Sequence, residues 1–251
     1  MPENPHNDGA IANRRDALDL SVVALPFALS LIAGSTDTIG FLSLNGLFTA
    51  HITGNLVVLA AHVVDGNPAI LSYMLAVPVF MLVLLVTRLF ASRLERTGAA
   101  PLRPLLLLEL LLLIAFLVCC VAAGPRPDSQ SGIAVIAGMS GVAAMAVQTA
   151  LVQISLTKTP STAVMTTNVA HFMLALGAVL AGGEQAVVAS ARRCMLHLSP
   201  VIVGFVVGCA LGAAAQAAFA SWSVALPVVL GLLALGMGSE LNYRARSEGG
   251  P

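Results

Sequence analysis

Residues 102–123 read LRPLLLLELLLLIAFLVCCVAA, an apolar run interrupted by Arg103, Pro104 and Glu109. As a helix rising 1.5 Å per residue, a stretch of that length covers about 30 Å, the thickness of the hydrocarbon core of a bilayer. A helix packed on a soluble core keeps one polar side; a helix without one belongs in lipid.

Seven further apolar segments extend in both directions. They lie at about 18–47, 52–64, 70–90, 132–156, 163–181, 200–219 and 224–238. The first is broken by Gly34-Ser35-Thr36-Asp37, and 52–64 is too short to cross a membrane. Composition agrees: of 251 residues, 58% are hydrophobic and 10% charged, with a mean hydropathy of +0.93. A soluble domain carries about 25% charged residues to wet its surface. The sequence therefore predicts an all-α, polytopic transmembrane bundle occupying 17–240. Polar tails flank it at 1–16 and 241–251, the first expected to be disordered. Its partners are the lipid bilayer and a small solute or ion. The formal net charge is zero, which gives nucleic acid no long-range attraction.

Arginine placement sets the expected topology. Arg14-Arg15, the group Arg88, Arg93, Arg96 and Arg103, the pair Arg192-Arg193, and Arg244 with Arg246 all flank apolar segments. The positive-inside rule puts all four clusters in the cytoplasm. That is consistent only if 52–64 and 163–181 do not cross, which leaves about six spans plus two broken or re-entrant elements, both termini cytoplasmic. Irregular backbone at membrane depth persists only when buried in protein or lining a wet cavity.

The two non-crossing elements open alike. Thr49-Ala50-His51-Ile52-Thr53-Gly54-Asn55 parallels Thr162-Ala163-Val164-Met165-Thr166-Thr167-Asn168, and Ile32-Ala33-Gly34 parallels Ile136-Ala137-Gly138. The second alignment puts Gly141 opposite Asp37 and about nine extra residues into 151–159. With the expected topology, these words mark an inverted repeat with halves at about 18–124 and 131–238, an arrangement that places a transporter's site at the repeat interface.

Gly34-x-x-Asp37-x-x-x-Phe41, followed by Phe48-x-Ala50-x-x-Thr53-Gly54-Asn55, resembles the signature of the YoaK-like family of bacterial integral membrane proteins, and Thr166-Thr167-Asn168 resembles its second motif. The resemblance covers about 20–237. It implies a multi-pass protein of the bacterial inner membrane, of unknown function, with a suspicion of transport. Gly141 departs from the polar residue expected there.

The candidate substrate-binding residues are Asp37, Thr53, Asn55, Thr166 and Asn168. Thr supplies a hydroxyl, Asn both a donor and an acceptor, and the start of a half-helix adds free N–H groups. The alternative is that the threonines and asparagines only cap the broken helices. Asp37, within an apolar segment, is expected to face inward and take donors from Thr53, Asn55 and the opening of the short segment. Glu109 must also face inward, as a proton relay or an interhelical hydrogen bond. Gln148 and Gln153 read as interhelical glue. Gly204, Gly208 and Gly212 form a packing face, inside the bundle or in a homo-oligomer.

No metal-ligand spacing involves His51, His62, His171 or His197. Cys119, Cys120, Cys194 and Cys209 form no C-x-x-C pair. No nucleophile elbow, phosphate loop or dinucleotide fingerprint occurs, so neither catalytic residues nor a cofactor is expected. The expected function is a transporter or channel for a small solute, its site between the two Thr/Asn motifs. The alternative is a non-transporting accessory or assembly protein.

Overall fold

The computed structural model describes residues 5–66, 70–125, 131–157 and 159–248. Eight α-helices follow one another: α1 (Pro5–Ser43), α2 (Ile52–Asp65), α3 (Ile70–Arg96), α4 (Leu102–Ala123), α5 (Gly132–Ser155), α6 (Met165–Ala181), α7 (Gln185–Phe219) and α8 (Ala225–Glu248). Among the described residues, five stretches are long and apolar enough to cross a membrane: Val23–Ser43, Leu71–Arg96, Leu102–Ala123, Gly132–Ser155 and Gln185–Ser239. The last comprises α7 and α8, joined by a 3-10 turn at Ala220–Val224. Large apolar side chains such as Leu82 and Leu85 on α3, Leu174 and Leu180 on α6, and Leu232 and Leu233 on α8 are exposed. Such a surface is stable against lipid tails and not against water.

Packing gives the helix directions. Gly204, Gly208 and Gly212 of α7 lie on Phe27, Leu31 and Ser35 of α1, so these two helices run parallel. Gln148 of α5 reaches Leu29 of α1, while Gly138 meets Leu44 and Leu47 just beyond its end; α5 is antiparallel to α1. Gly238 and Gly231 of α8 lie on Leu106 and Leu110 of α4, again antiparallel. The turn after α7 therefore reverses the chain, and α1, α3, α4, α5, α7 and α8 make six alternating passes.

Backbone contact between α1 and α7 is possible only because glycines face it. A Cβ at Gly208 would stand 2.5 Å from the Leu31 carbonyl oxygen, and one at Gly34 would stand 2.3 Å from that of Phe205. Small residues let helices without a hydrophobic drive between them gain contact area. The glycine face is thus packed inside the chain, on α1.

The principal packing partners form matched pairs. α1 packs on α7 as α5 packs on α3, α4 on α5 as α8 on α1, and α2 on α3 as α6 on α7. α1 and α5 are the most enclosed spans, and the apolar core divides between their two ends. One cluster joins Leu25, Leu29, Leu105, Met145 and Leu151. The other joins Ile39, Leu47, Tyr73, Phe116 and Ala137.

Four expectations change. α1 runs unbroken through Gly34-Ser35-Thr36-Asp37, where a break was expected; the Ser35 hydroxyl is satisfied inside the helix by the Leu31 and Ile32 carbonyls. The N-terminal stretch, expected to be disordered, is helical from Pro5 onward, and the C-terminal tail is helical through Glu248. Extending an existing helix costs far less than starting one. The segment expected to begin at Pro200 begins at Gln185. Pro200 deprives the Leu196 carbonyl of its helical donor, and the Ser199 hydroxyl donates to that oxygen instead (3.3 Å). Finally, α5 runs unbroken to Ser155, so the two loops are nearly equal: eight residues at 44–51 and nine at 156–164. The second copy has no nine-residue insertion in its loop.

Candidate functional site

α1 ends at Ser43, where Asn45 (φ 55°) and Gly46 (φ 90°) take the left-handed conformation and the Gly46 N–H donates to the Phe41 carbonyl (2.8 Å). That closure turns the chain back along α1. Tyr73 of α3 holds the turn by donating its hydroxyl to the Asn45 carbonyl. Residues 47–51 then descend beside Asp37 before α2 starts at Ile52.

Asp37 takes three kinds of donor from this loop. Its Oδ1 accepts from the backbone N–H groups of Thr49 and Ala50, both at 2.7 Å, and from the Thr49 hydroxyl at 3.3 Å. Its Oδ2 pairs with His51 Nδ1 at 2.6 Å. The Asp37 side chain is 6% exposed and that of His51 38%. A carboxylate at this depth would be costly without donors; here every donor comes from one eight-residue loop. Asp37 therefore also fixes the loop that leads into α2. His51 stands edge-on to Phe48 and Phe205 (ring centroids 6.0 and 5.6 Å). Since Asp37 occupies Nδ1, Nε2 remains for a ligand.

The pair borders a cavity of about 520 Å³, walled by Thr38, Phe48, Thr53, Phe205 and Cys209. His51 lies in the connection ahead of α2, outside the long spans. Its pKa is raised above the ordinary 6.5, first by the hydrogen bond to Asp37 and then by that group's charge, against the opposing effect of burial.

Asn55 does something else. Its Oδ1 accepts from the Phe48 N–H (2.9 Å) and its Nδ2 donates to the Phe48 carbonyl (2.8 Å). It is wholly buried and makes the bond pair that a sheet neighbour would make, clamping the loop to the first turn of α2. Asn168 repeats the device, donating from Nδ2 to the Ser161 carbonyl at 2.7 Å. Both asparagines reach seven residues back, and α2 and α6 start at matching positions, Ile52 and Met165.

A protein family described as "Protein of unknown function (DUF1275)" has a model that matches residues 25–237. The chain belongs to the DUF1275 family. No curated protein and no solved structure matches it. In this DUF1275 member the match takes in both loops and every buried polar residue discussed here.

The five sequence-derived candidates separate. Asp37 and Thr53 border one cavity. Asn55 and Asn168 are each engaged within their own loops. Thr166 is exposed on the first turn of α6. The donors expected for Asp37 from Thr53 and Asn55 come instead from Thr49, Ala50 and His51. In the second half, the side chain that meets the loop threonine is Gln148, whose Nε2 donates to Thr162 Oγ1 (2.9 Å) and to the Leu29 carbonyl (2.9 Å). Gly141, aligned with Asp37 by sequence, lies against the first loop: a Cβ there would come 2.9 Å from Thr49 Cγ2. With Gly40 on the other side, at 2.8 Å by the same measure, it makes the slot that holds the Thr49 methyl.

His51 is the candidate site residue that sequence reasoning passed over. One signal was present: it replaces Val164 of the second copy inside an otherwise matching word, beside a carboxylate in need of a donor.

Proposed function

We propose that this protein is a transporter or channel for a small solute in the bacterial inner membrane, and that the Asp37–His51 pair is its charged site. One observation carries the reading. A carboxylate and an imidazole meet where the chain turns back between α1 and α2, and their free side opens onto a cavity large enough for a small molecule. Such constellations mark substrate and ion pathways in membrane proteins. Solute handling belongs to this cavity on α1, α2 and α7, not to a midpoint between the two Thr/Asn motifs.

Two further observations support it. The matched packing pairs correspond to an inverted repeat relating α1–α4 to α5–α8, with α1 and α5 at its centre. In addition, the six alternating passes bring all the arginine clusters to the membrane face that holds the start of α1, the face the positive-inside rule makes cytoplasmic. Labelling from outside would then reach a cysteine placed at Asp65 and miss one at Ser92.

The rival reading, a non-catalytic accessory protein without transport, draws on the asparagines, whose bonds go to their own backbone. Purified protein in proteoliposomes with a trapped pH dye separates the two. Pools of amino acids, sugars, organic acids and inorganic ions are offered under an imposed gradient. The transporter reading expects a pool-dependent flux that Asp37→Asn abolishes while the protein still inserts and elutes as one species. Wild-type vesicles that behave like empty ones with every pool would leave the accessory role.

A further inference from the structure

Glu109 on α4 is 1% exposed, and neither carboxyl oxygen has a hydrogen-bond partner. Gln148 on α5 is wholly buried; its amide nitrogen is used twice, but Oε1 has no partner. The antiparallel packing of α4 and α5 relates these orphans. Phe116 of α4 lies against Gly141 of α5, at 3.5 Å from a Cβ built there. Two turns down α4 from Phe116 is Glu109, and two turns along α5 from Gly141 is Gln148. The steps keep each residue on the face its helix turns to the other. Glu109 and Gln148 therefore stand level across the α4–α5 seam.

From Gln148 a polar path leads out. Its amide donates to Thr162, and Thr162 borders a cavity of about 240 Å³ lined also by Thr149, Gln153, Thr157, Thr159 and Ser161. This cavity lies at the α5–α6 loop, apart from the one beside Asp37. Nothing charged faces Glu109: α5, the 3-10 turn and the described side chains of α8, the elements packed on α4, carry no titratable residue.

We propose that Glu109 is a buried proton-binding site, loaded from the hydroxyl-lined cavity beside Thr162 and completed by Gln148. A hydronium ion at the inner end of the cavity gives its proton to the Glu109 carboxylate and becomes water. The new O–H donates to Gln148 Oε1, which gives both orphaned groups a partner. Gln148 acts as a positioning residue, its amide nitrogen held by Leu29 and Thr162 and its oxygen left to accept. A carboxylate without donors would be too costly in this core; a neutral acid bonded to an amide would not. The proposal deepens the transport reading by giving the chain a proton site. Proton binding needs no solute, however, so it stands or falls separately from flux.

The test uses the whole protein in detergent micelles. Dicyclohexylcarbodiimide adds a protonated carboxyl across its C=N bond and leaves a stable N-acylurea that tandem mass spectrometry locates. The expected result is label on Glu109 near neutral pH and none on Asp37. Infrared spectra should show a protonated-carboxyl C=O band that disappears in Glu109→Gln and moves to higher wavenumber in Gln148→Leu, where the acceptor is gone. Exchange of that band in heavy water should slow in Thr162→Val. An unlabelled Glu109, a band that survives Glu109→Gln, or a band unmoved by Gln148→Leu would overturn the proposal. If a variant fails to fold, the label position on the wild-type chain decides alone.

Discussion

The loops at 44–51 and 156–164 share a frame and differ in chemistry. Each precedes a short helix, and each is clamped by an asparagine that reaches seven residues back. In the first, the threonine N–H and hydroxyl meet a carboxylate that also holds an imidazole. In the second, the threonine meets a neutral amide, and valine stands where the histidine would be. Residues common to both loops thus hold backbone, and residues peculiar to one carry charge. On the proposed function, the words common to both loops belong to the scaffold and the departures from them to the site.

The largest effects should come from the clamps, and they should be unequal. Asn55→Ala orphans both backbone groups of half-buried Phe48, which costs on the order of 2–5 kcal/mol, whereas Asn168→Ala orphans one carbonyl, on the order of 1–3 kcal/mol. Thermal unfolding in detergent should rank them in that order. Equal losses would mean that the two clamps do not differ as drawn.

Exchanging the two partners comes next. Gln148→Glu loses the donor to the Leu29 carbonyl and brings a carboxylate toward that oxygen, so it should cost about 1–3 kcal/mol. Asp37→Asn keeps an acceptor for the Thr49 and Ala50 N–H groups and should cost under about 1 kcal/mol, while removing flux. Comparable stability losses for both exchanges would erase the distinction between a charged and a neutral half.

Glycine placement offers a smaller contrast. Gly141→Ala drives a methyl against Thr49 Cγ2 and should destabilise by about 1–3 kcal/mol. Gly177→Ala on α6, with nothing near its Cβ, should stabilise by about 0.5–1 kcal/mol. A silent Gly141→Ala would show that the slot around Thr49 yields easily.

The smallest effect is the share of the pH dependence that belongs to the first loop. The raised pKa of His51 means that the folded state holds a proton the unfolded state has released. The stability this adds is fully present below the ordinary value of 6.5 and is lost as pH rises through the raised one. The melting temperature should fall across that window in the wild type, and the fall should be smaller in His51→Val, which makes the first loop resemble the second; what remains belongs to the proton site proposed at Glu109. A fall as steep in the variant as in the wild type would take His51 out of it.

Much of the architecture was legible in the linear pattern. The leucine run of α4 reads as a span because no face of it is polar, and 52–64 reads as broken because it is too short to cross. The same reasoning brought Asp37 inward, since lipid offers no donors. It stopped at the donors themselves. His51 reaches Asp37 only because the chain turns back at Gly46, and that turn is held by Tyr73 from a different helix. Local sequence words also matched Gly141 to Asp37, but in the fold it is Gln148 that meets the threonine of the second loop.

What the sequence determined by itself, then, is whatever depends on transfer from water to lipid: a bundle of apolar helices, two of them too short to cross, and the need for Asp37 and Glu109 to point inward. That free energy is a property of each segment alone. The tertiary structure decided which polar groups meet. Hydrogen bonds act over about 3 Å, and a shift of one residue along a helix turns a side chain by about 100°. The pairing of Asp37 with His51, of Gln148 with Thr162, and the shared depth of Glu109 and Gln148 therefore follow from helix rotation and glycine-set spacing, which no local segment encodes.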